Sequence, residues 1–217
     1  MLASYTFNTT YRPAQQGWKQ FHNLRLLEGG QFEPNQYSPD LVWEYQQARL
    51  KYFQWGMVSA WVKKGEEKKG KKFAPIEMAF SHPQFQLPLR RNRCLIPADG
   101  YYVELGKKNG GMEKYKLSSP QGDGFCFAGI YDTWKRADGS LLYSFAVLTQ
   151  PNKEQAYKHI RKPLILPKNI EAAWLNPYTD MNKVQKILQL PSGIRMNVQR
   201  VHELKLQEKQ NWDHAAA

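Results

Sequence analysis

The run from Arg90 to Glu104, RRNRCLIPADGYYVE, constrains the fold of this chain more than any other segment. Cys94-Leu95-Ile96 is a short apolar stretch, Asp99-Gly100 supplies a turn, and Tyr101-Tyr102-Val103 resumes with aromatic and β-branched side chains. The segment therefore reads as a buried strand entering a sharp Asp-Gly turn, followed by an aromatic strand. Further strands are expected at Leu50 to Val58, Arg93 to Pro97, Tyr101 to Leu105, Met112 to Leu117, Phe125 to Trp134 and Leu142 to Thr149. Turn residues separate them at Gly110-Gly111, Gln121 to Gly124 and Asp138-Gly139. Hairpins at this spacing predict mainly antiparallel sheet. Helices are expected at Trp18 to Leu27, stopped by Gly29-Gly30, at Asn152 to His159, at Ile170 to Leu175, and at Met181 to Leu190, ended by Pro191. Gln31 to Asp40, with Pro34 and Pro39, reads as an extended loop. The expected class is α+β: a β-rich, mainly antiparallel, curved or barrel-like sheet with a few flanking helices.

With 217 residues and no repeat or low-complexity linker, the chain is expected to form a single domain over 1–217, large enough to need no disulfide or metal staple. Cys94 and Cys126 both lie in apolar strand-like runs and read as two buried thiols, which points to a reducing compartment. The N-terminal MLASYTFNTTYR has no basic segment followed by an apolar core, and no run of about 18 apolar residues occurs. A cytoplasmic monomer without membrane contact is expected, nucleoid-associated if it binds DNA.

A net charge of +12 and a pI near 9.6 favour a polyanionic partner, because basic side chains attract phosphates at long range and release their counterions. Seven Trp, twelve Tyr and ten Phe, many beside Lys or Arg, add stacking faces suited to unpaired bases. Val62 to Lys72, VKKGEEKKGKK, holds six lysines and reads first as a solvated loop, with a phosphate-contacting lip as its functional alternative. Candidate DNA contacts are Arg90, Arg91, Arg93, Lys63, Lys64 and Arg161, with Trp61 as stacking or wedge residue. Arg91 and Arg93 are expected to share one strand face. His22, His82, His202 and His214 lack metal-ligand spacing and no Cys-x-x-Cys occurs, so neither metal nor cofactor is expected.

Several blocks in one order then resemble the SRAP (SOS response-associated peptidase, or abasic-site processing) family. Arg91 to Tyr102 is similar to its signature R-R-C-L-I-P-A-D-G-F-Y-E-W, and Trp55 to Trp61 to its W-G-L-I-P-x-W. Phe127 to Tyr131 with Trp134 resembles A-G-L-W-x-x-W, and Ser144 to Thr149 resembles the S-F-T-I-L-T-T strand. Asn152, His159, Arg161, Pro163 and Ile165-Leu166 resemble its A-N…H-x-R-M-P-V-I-L block, with Trp174-Leu175 as the trailing W-L. The resemblance covers Trp55 to Leu175. It implies a SRAP-like fold and a chemistry in which a cysteine exposed after the initiator Met traps the aldehyde of an abasic site in single-stranded DNA as a thiazolidine. In that scheme an Asn positions the sugar or terminal amine, a Glu moves protons, and a His assists ring opening.

Carried over position by position, that site is largely replaced. The family begins M-C-G-R, so its cysteine aligns with Leu2. Its N-A-R-x-E-T block lies 21 residues before the signature cysteine, which sets Asn against Phe73 and Arg against Pro75 and retains Glu77. The Glu of G-F-Y-E-W falls on Val103 and the next Trp on Glu104. His159 and Arg161 are kept. Because strand side chains alternate, Glu104 can replace the missing carboxylate only if a bulge near Gly100 reverses the alternation. Mid-strand Cys94 is a poor substitute nucleophile.

Three readings follow. The first is a SRAP-like protein binding single-stranded or abasic DNA without the cysteine crosslink. The second is a residual enzyme using the Met1 amine, retained because Leu2 is bulky, with His159 or Glu104 carrying protons. The third is a decayed apolar pocket, lined by Leu2, Phe73 and Val103, that binds a protein tail or small ligand.

Overall fold

The computed structural model describes residues 2–7, 29–63, 65–66, 70–106, 111–120, 122, 124–152, 160–191 and 194–201. Its centre is a closed ring of strands. β3 (Tyr37–Glu44) and β4 (Gln47–Trp55) form a hairpin, β3 pairs with β6 (Arg93–Ala98), and β6 pairs with β9 (Phe125–Lys135). β9 turns back into β10 (Leu141–Pro151), and β10 meets β4 in parallel at Phe145 and Trp55, which closes a five-stranded barrel. Closure removes the sheet edges that would otherwise expose unpaired backbone. Short β5 (Phe73–Pro75), β11 (Arg161–Pro163) and β12 (Ile165–Leu166) extend the barrel wall along β10 and β9. A second, antiparallel sheet runs β13 (Asn197–Val201), β8 (Met112–Ser118), β7 (Gly100–Gly106), β1 (Leu2–Phe7), β2 (Gly30–Phe32).

The alternation of each barrel strand divides the core into two layers. Phe53, Trp55, Cys94, Ile96, Phe127, Phe145 and Val147 point inward and form one cluster, into which β1 sends Tyr5. Leu41, Leu95, Cys126, Ala128, Ile130 and Leu148 point outward and pack beneath three helices. The interior is tight at Gly129, where an added Cβ would sit 2.4 Å from Ile96 Cδ1 and 2.7 Å from Cys94 Sγ. Both cysteines are free and buried, as their apolar contexts predicted.

The helices are α1 (Pro83–Arg91), α2 (Lys168–Leu175) and α3 (Met181–Leu188). Asp180 caps α3 by accepting from the Asn182 and Lys183 amides, and Val184, Ile187 and Leu188 form its buried face. α1 was not expected, because Pro83 and Pro88 argue against a helix. Pro83 sits where its missing N–H costs nothing, His82 Nδ1 accepts from the Gln84 amide at 3.2 Å, and Pro88 is buried on the packed face. The expected loop at Gln31 to Asp40 instead contains β2 and the start of β3. The helix expected at Trp18 to Leu27 lies outside the described residues, as does nearly all of that at Asn152 to His159. No helix among the described residues is long and apolar enough to cross a membrane.

Candidate functional site

β1 and β7 place Leu2 directly opposite Val103, and Leu2 is 4% exposed. β5 runs parallel to β10 with Phe73 beside Val147, and the Phe73 ring meets Trp55 edge-on at 5.9 Å. Trp55 is fixed in turn by its indole N–H, which donates to the Lys72 carbonyl at 2.9 Å. Leu2 belongs to the barrel-interior cluster, and Phe73 and Val103 pack against it. Three residues distant in sequence thus pack on one apolar cluster, Leu2 and Val103 from paired strands and Phe73 beside Trp55. Ile194 and Met196, just before β13, pack on the same cluster.

Beside this corner stands a polar one. After β5 the Ile76 amide donates to the Thr149 carbonyl at 3.0 Å, and Glu77 follows. Arg161 on β11 donates from Nε to Thr149 Oγ1 at 2.9 Å, and from its terminal nitrogen to both the Thr149 carbonyl and Glu77 Oε2 at 2.7 Å. This fork ties β5, β10 and β11 together, and Asn152, 7% exposed, lies at the end of β10. His159, Lys64 and Met1 lie outside the described residues, so the reading based on the Met1 amine and His159 has no described geometry.

Glu104 sits elsewhere. It is exposed, on the opposite face of β7 from Val103, and its register partner on β8 is Lys114. The register shift falls in β1, between Leu2 and Ser4, while β7 pairs without interruption with β8 from Gly100 to Gly106. A bulge in β1 leaves the alternation of β7 intact, so Val103 keeps the inward direction and Glu104 the outward one.

Two of the basic assignments are corrected. Arg90 and Arg91 are exposed on the last turn of α1, not on a strand, so Arg91 and Arg93 do not share a strand face. Arg93 opens β6 and is 2% exposed. It donates from Nε to the Trp174 carbonyl at 2.6 Å, from one terminal nitrogen to the Leu89 and Arg90 carbonyls, and from the other to Asn176. Burial lowers its pKa to about 10. Its guanidinium satisfies carbonyls at the C-termini of α1 and α2, where helix dipoles favour a cation.

Trp61 is 63% exposed, on a segment held to the barrel wall at three points. The Val58 amide donates to Ser144 Oγ at 2.9 Å, the Ala60 amide to Asp132 Oδ2 at 3.0 Å, and the Trp134 indole to the Val62 carbonyl at 2.9 Å. Val58, Val62, Trp134 and Leu142 form a small apolar cluster beneath it. Trp61 and exposed Lys63 are therefore presented on a supported segment. Asp132 and Ser144 do this work, and sequence reasoning missed both because their partners lie more than 70 residues away.

The barrel interior holds a third polar group. Asp40, Ser38 and Tyr5 are all 0% exposed, and no described residue donates a hydrogen bond to either Asp40 oxygen. Burial raises the Asp40 carboxyl well above the usual carboxylate range. Burial, and then the nearby Asp40 carboxyl, raise the Tyr5 hydroxyl. Cys94 is pushed up by burial and then by Asp40, so it stays a protonated, unreactive thiol. No group of three or more His, Cys, Asp or Glu among the described residues is placed to hold a metal.

Comparison with known proteins agrees with this architecture. The chain is 32% identical over 205 residues to abasic site processing protein YoqW of Bacillus subtilis, covering 89% of this chain and 90% of that protein. It is 36% identical over 148 residues to YoaM of the same organism, also described as an abasic site processing protein, covering 66% and 63% of the two. A crystal structure from Bacteroides thetaiotaomicron has the same fold, with a TM-score of 0.70 at 22% identity over 80% of this chain and 78% of that one. So does a phage-related protein of Bordetella bronchiseptica, with a TM-score of 0.69 at 20% identity over 93% and 94%. The model of the SOS response associated peptidase (SRAP) family matches residues 7–204, and the chain belongs to that family.

Proposed function

We propose that this SRAP protein binds single-stranded DNA, abasic DNA included, reversibly and without forming a cysteine-dependent crosslink. The observation that carries this reading is that Leu2 and Val103, paired across β1 and β7, and Phe73 on β5 all pack on the apolar barrel-interior cluster, at the positions where the family's motifs carry Cys, Asn and Glu. A thiazolidine needs a sulfur to close its ring, and an alkyl side chain supplies none. Phe73 offers no hydrogen bond to a sugar, and Val103 cannot carry a proton. DNA binding is supported by the abasic-site processing relatives, by the charge of +12, and by Trp61 and Lys63 on a segment held at three points. Supported aromatic side chains stack on bases with little ordering cost. Of the expected DNA contacts among the described residues, Lys63, Arg90 and Arg91 are exposed and available to phosphates. We also take residues 1–217 as one domain, since both sheets contribute to one cluster, and the protein as a cytoplasmic or nucleoid monomer.

The test is a salt series with single-stranded oligonucleotides carrying one abasic site or none. Affinity should rise as salt falls, and every complex should dissociate under denaturing conditions. Absence of binding at low salt would overturn the DNA reading. An adduct that survives denaturation without reductant would overturn the non-covalent reading.

A further inference from the structure

We infer that the outer wall of the barrel carries a second stacking surface, built by Tyr37 and Tyr52 with Arg136, that extends the track of unpaired bases beyond Trp61. It rests on the single-stranded DNA reading above and goes beyond it in naming where the strand runs. Ser38, Asp40 and Val42 of β3 and Phe53 and Trp55 of β4 are buried, so Tyr37 and Tyr52 point outward, 48% and 55% exposed. Pro39 opposes Tyr52 and Tyr37 opposes Gln54, which puts the two tyrosines on one diagonal, within reach of neighbouring bases.

The registers connect this pair to Trp61. Tyr37 pairs with Gln54, Gln54 with Ser144, and Ser144 with Asp132, which makes one row across four strands. At ordinary strand spacing that row spans roughly 14 Å. Ser144 and Asp132, at its far end, are the two residues that hold the Trp61 segment. Arg136 crosses the wall in the other direction, its terminal nitrogens donating to the Tyr37 hydroxyl and to Ser140 Oγ, both at 3.3 Å. The acid nearest in sequence, Asp138, is engaged locally, its Oδ1 accepting from the Ser140 amide and hydroxyl at 2.9 and 2.7 Å. Exposed aromatic faces around an arginine fit a strand of unpaired nucleotides, because the rings take bases of any identity and the cation takes phosphate.

The test compares the full chain with Tyr37→Ala/Tyr52→Ala and Tyr37→Phe/Tyr52→Phe, using strands of roughly 4 and roughly 12 nucleotides, within the range one such fold can cover. A third probe has the longer length but baseless spacers in half of its positions. The wild type should bind the longer strand at least tenfold more tightly than the shorter. The alanine variant should lose that gain while keeping short-strand affinity and melting temperature, and the phenylalanine variant should keep it. The spacer strand should bind the wild type as the alanine variant binds the intact strand. Wild-type binding of both strands with an undiminished gain in the alanine variant would overturn this inference and leave the proposed function standing. Wild-type failure to bind any strand would overturn both.

Discussion

Phe73 and Glu77 stand four residues apart, one on β5 and one just beyond it, yet they belong to corners of opposite chemistry. Phe73 joins Leu2 and Val103 against the barrel interior, whereas Glu77 is half exposed and receives Arg161 at 2.7 Å. The apolar corner derives its stability from area removed from water. The polar corner supplies position, since an exposed ion pair contributes only about 0–1 kcal/mol. The difference teaches that Arg161 and Glu77 keep polar character where they join strands, while Leu2, Phe73 and Val103 present hydrocarbon to the barrel interior.

Substitutions that exchange the characters of the two corners should separate these roles. Leu2→Asp places a charge at a 4% exposed position among hydrocarbon and should lower the unfolding free energy by about 3 kcal/mol or more, read from urea denaturation. A loss below about 1 kcal/mol would mean that water enters the corner.

Asp40 is the internal contrast, a buried carboxyl with no hydrogen-bond partner among the described residues. Its carboxyl ionises at higher pH in the folded chain than in the unfolded one. Its contribution to stability is therefore fully present below the unfolded pKa of about 3.9 and is lost as pH rises toward the folded value, by up to about 1.4 kcal/mol per pH unit. Asp40→Asn removes this slope, so the variant should gain on the wild type from about pH 4 upward in parallel denaturation series. Parallel curves would show that Asp40 is ionised and paired.

The smallest effect belongs to the polar corner. Glu77→Gln should cost about 1 kcal/mol or less, and a double-mutant cycle with Arg161→Gln should give a coupling of similar size. A coupling above about 2 kcal/mol would give this pair an energetic role like that of the apolar corner.

The barrel strands were legible because they are apolar runs bounded by marked turns: Phe125 to Trp134 and Leu142 to Thr149 fall within about two residues of β9 and β10, the usual boundary uncertainty. α1 was not legible, because Pro83 and Pro88 are acceptable only once burial of Phe85, Pro88 and Leu89 is known. β3 was hidden by Pro39 and by Asp40, a carboxylate that no strand propensity favours inside a barrel. Its hairpin to β4 turns through Tyr45 and Gln46 at φ 49° and 63°, without the Asn-Gly or Asp-Gly that marks such turns. The apolar corner could be found by counting from Cys94, since Phe73 and Val103 occupy motif positions. The support of Trp61 could not, because Ser144 and Asp132 reach it only through the closed barrel.

The most direct measurement of the central claim is a paired native and denaturing gel of the full chain with an abasic single-stranded oligonucleotide at low salt. A retarded band on the native gel, weakened by salt, with free protein and free DNA on the denaturing gel is the predicted result. A shifted covalent band on the denaturing gel without reductant, or no retardation at all, would contradict it.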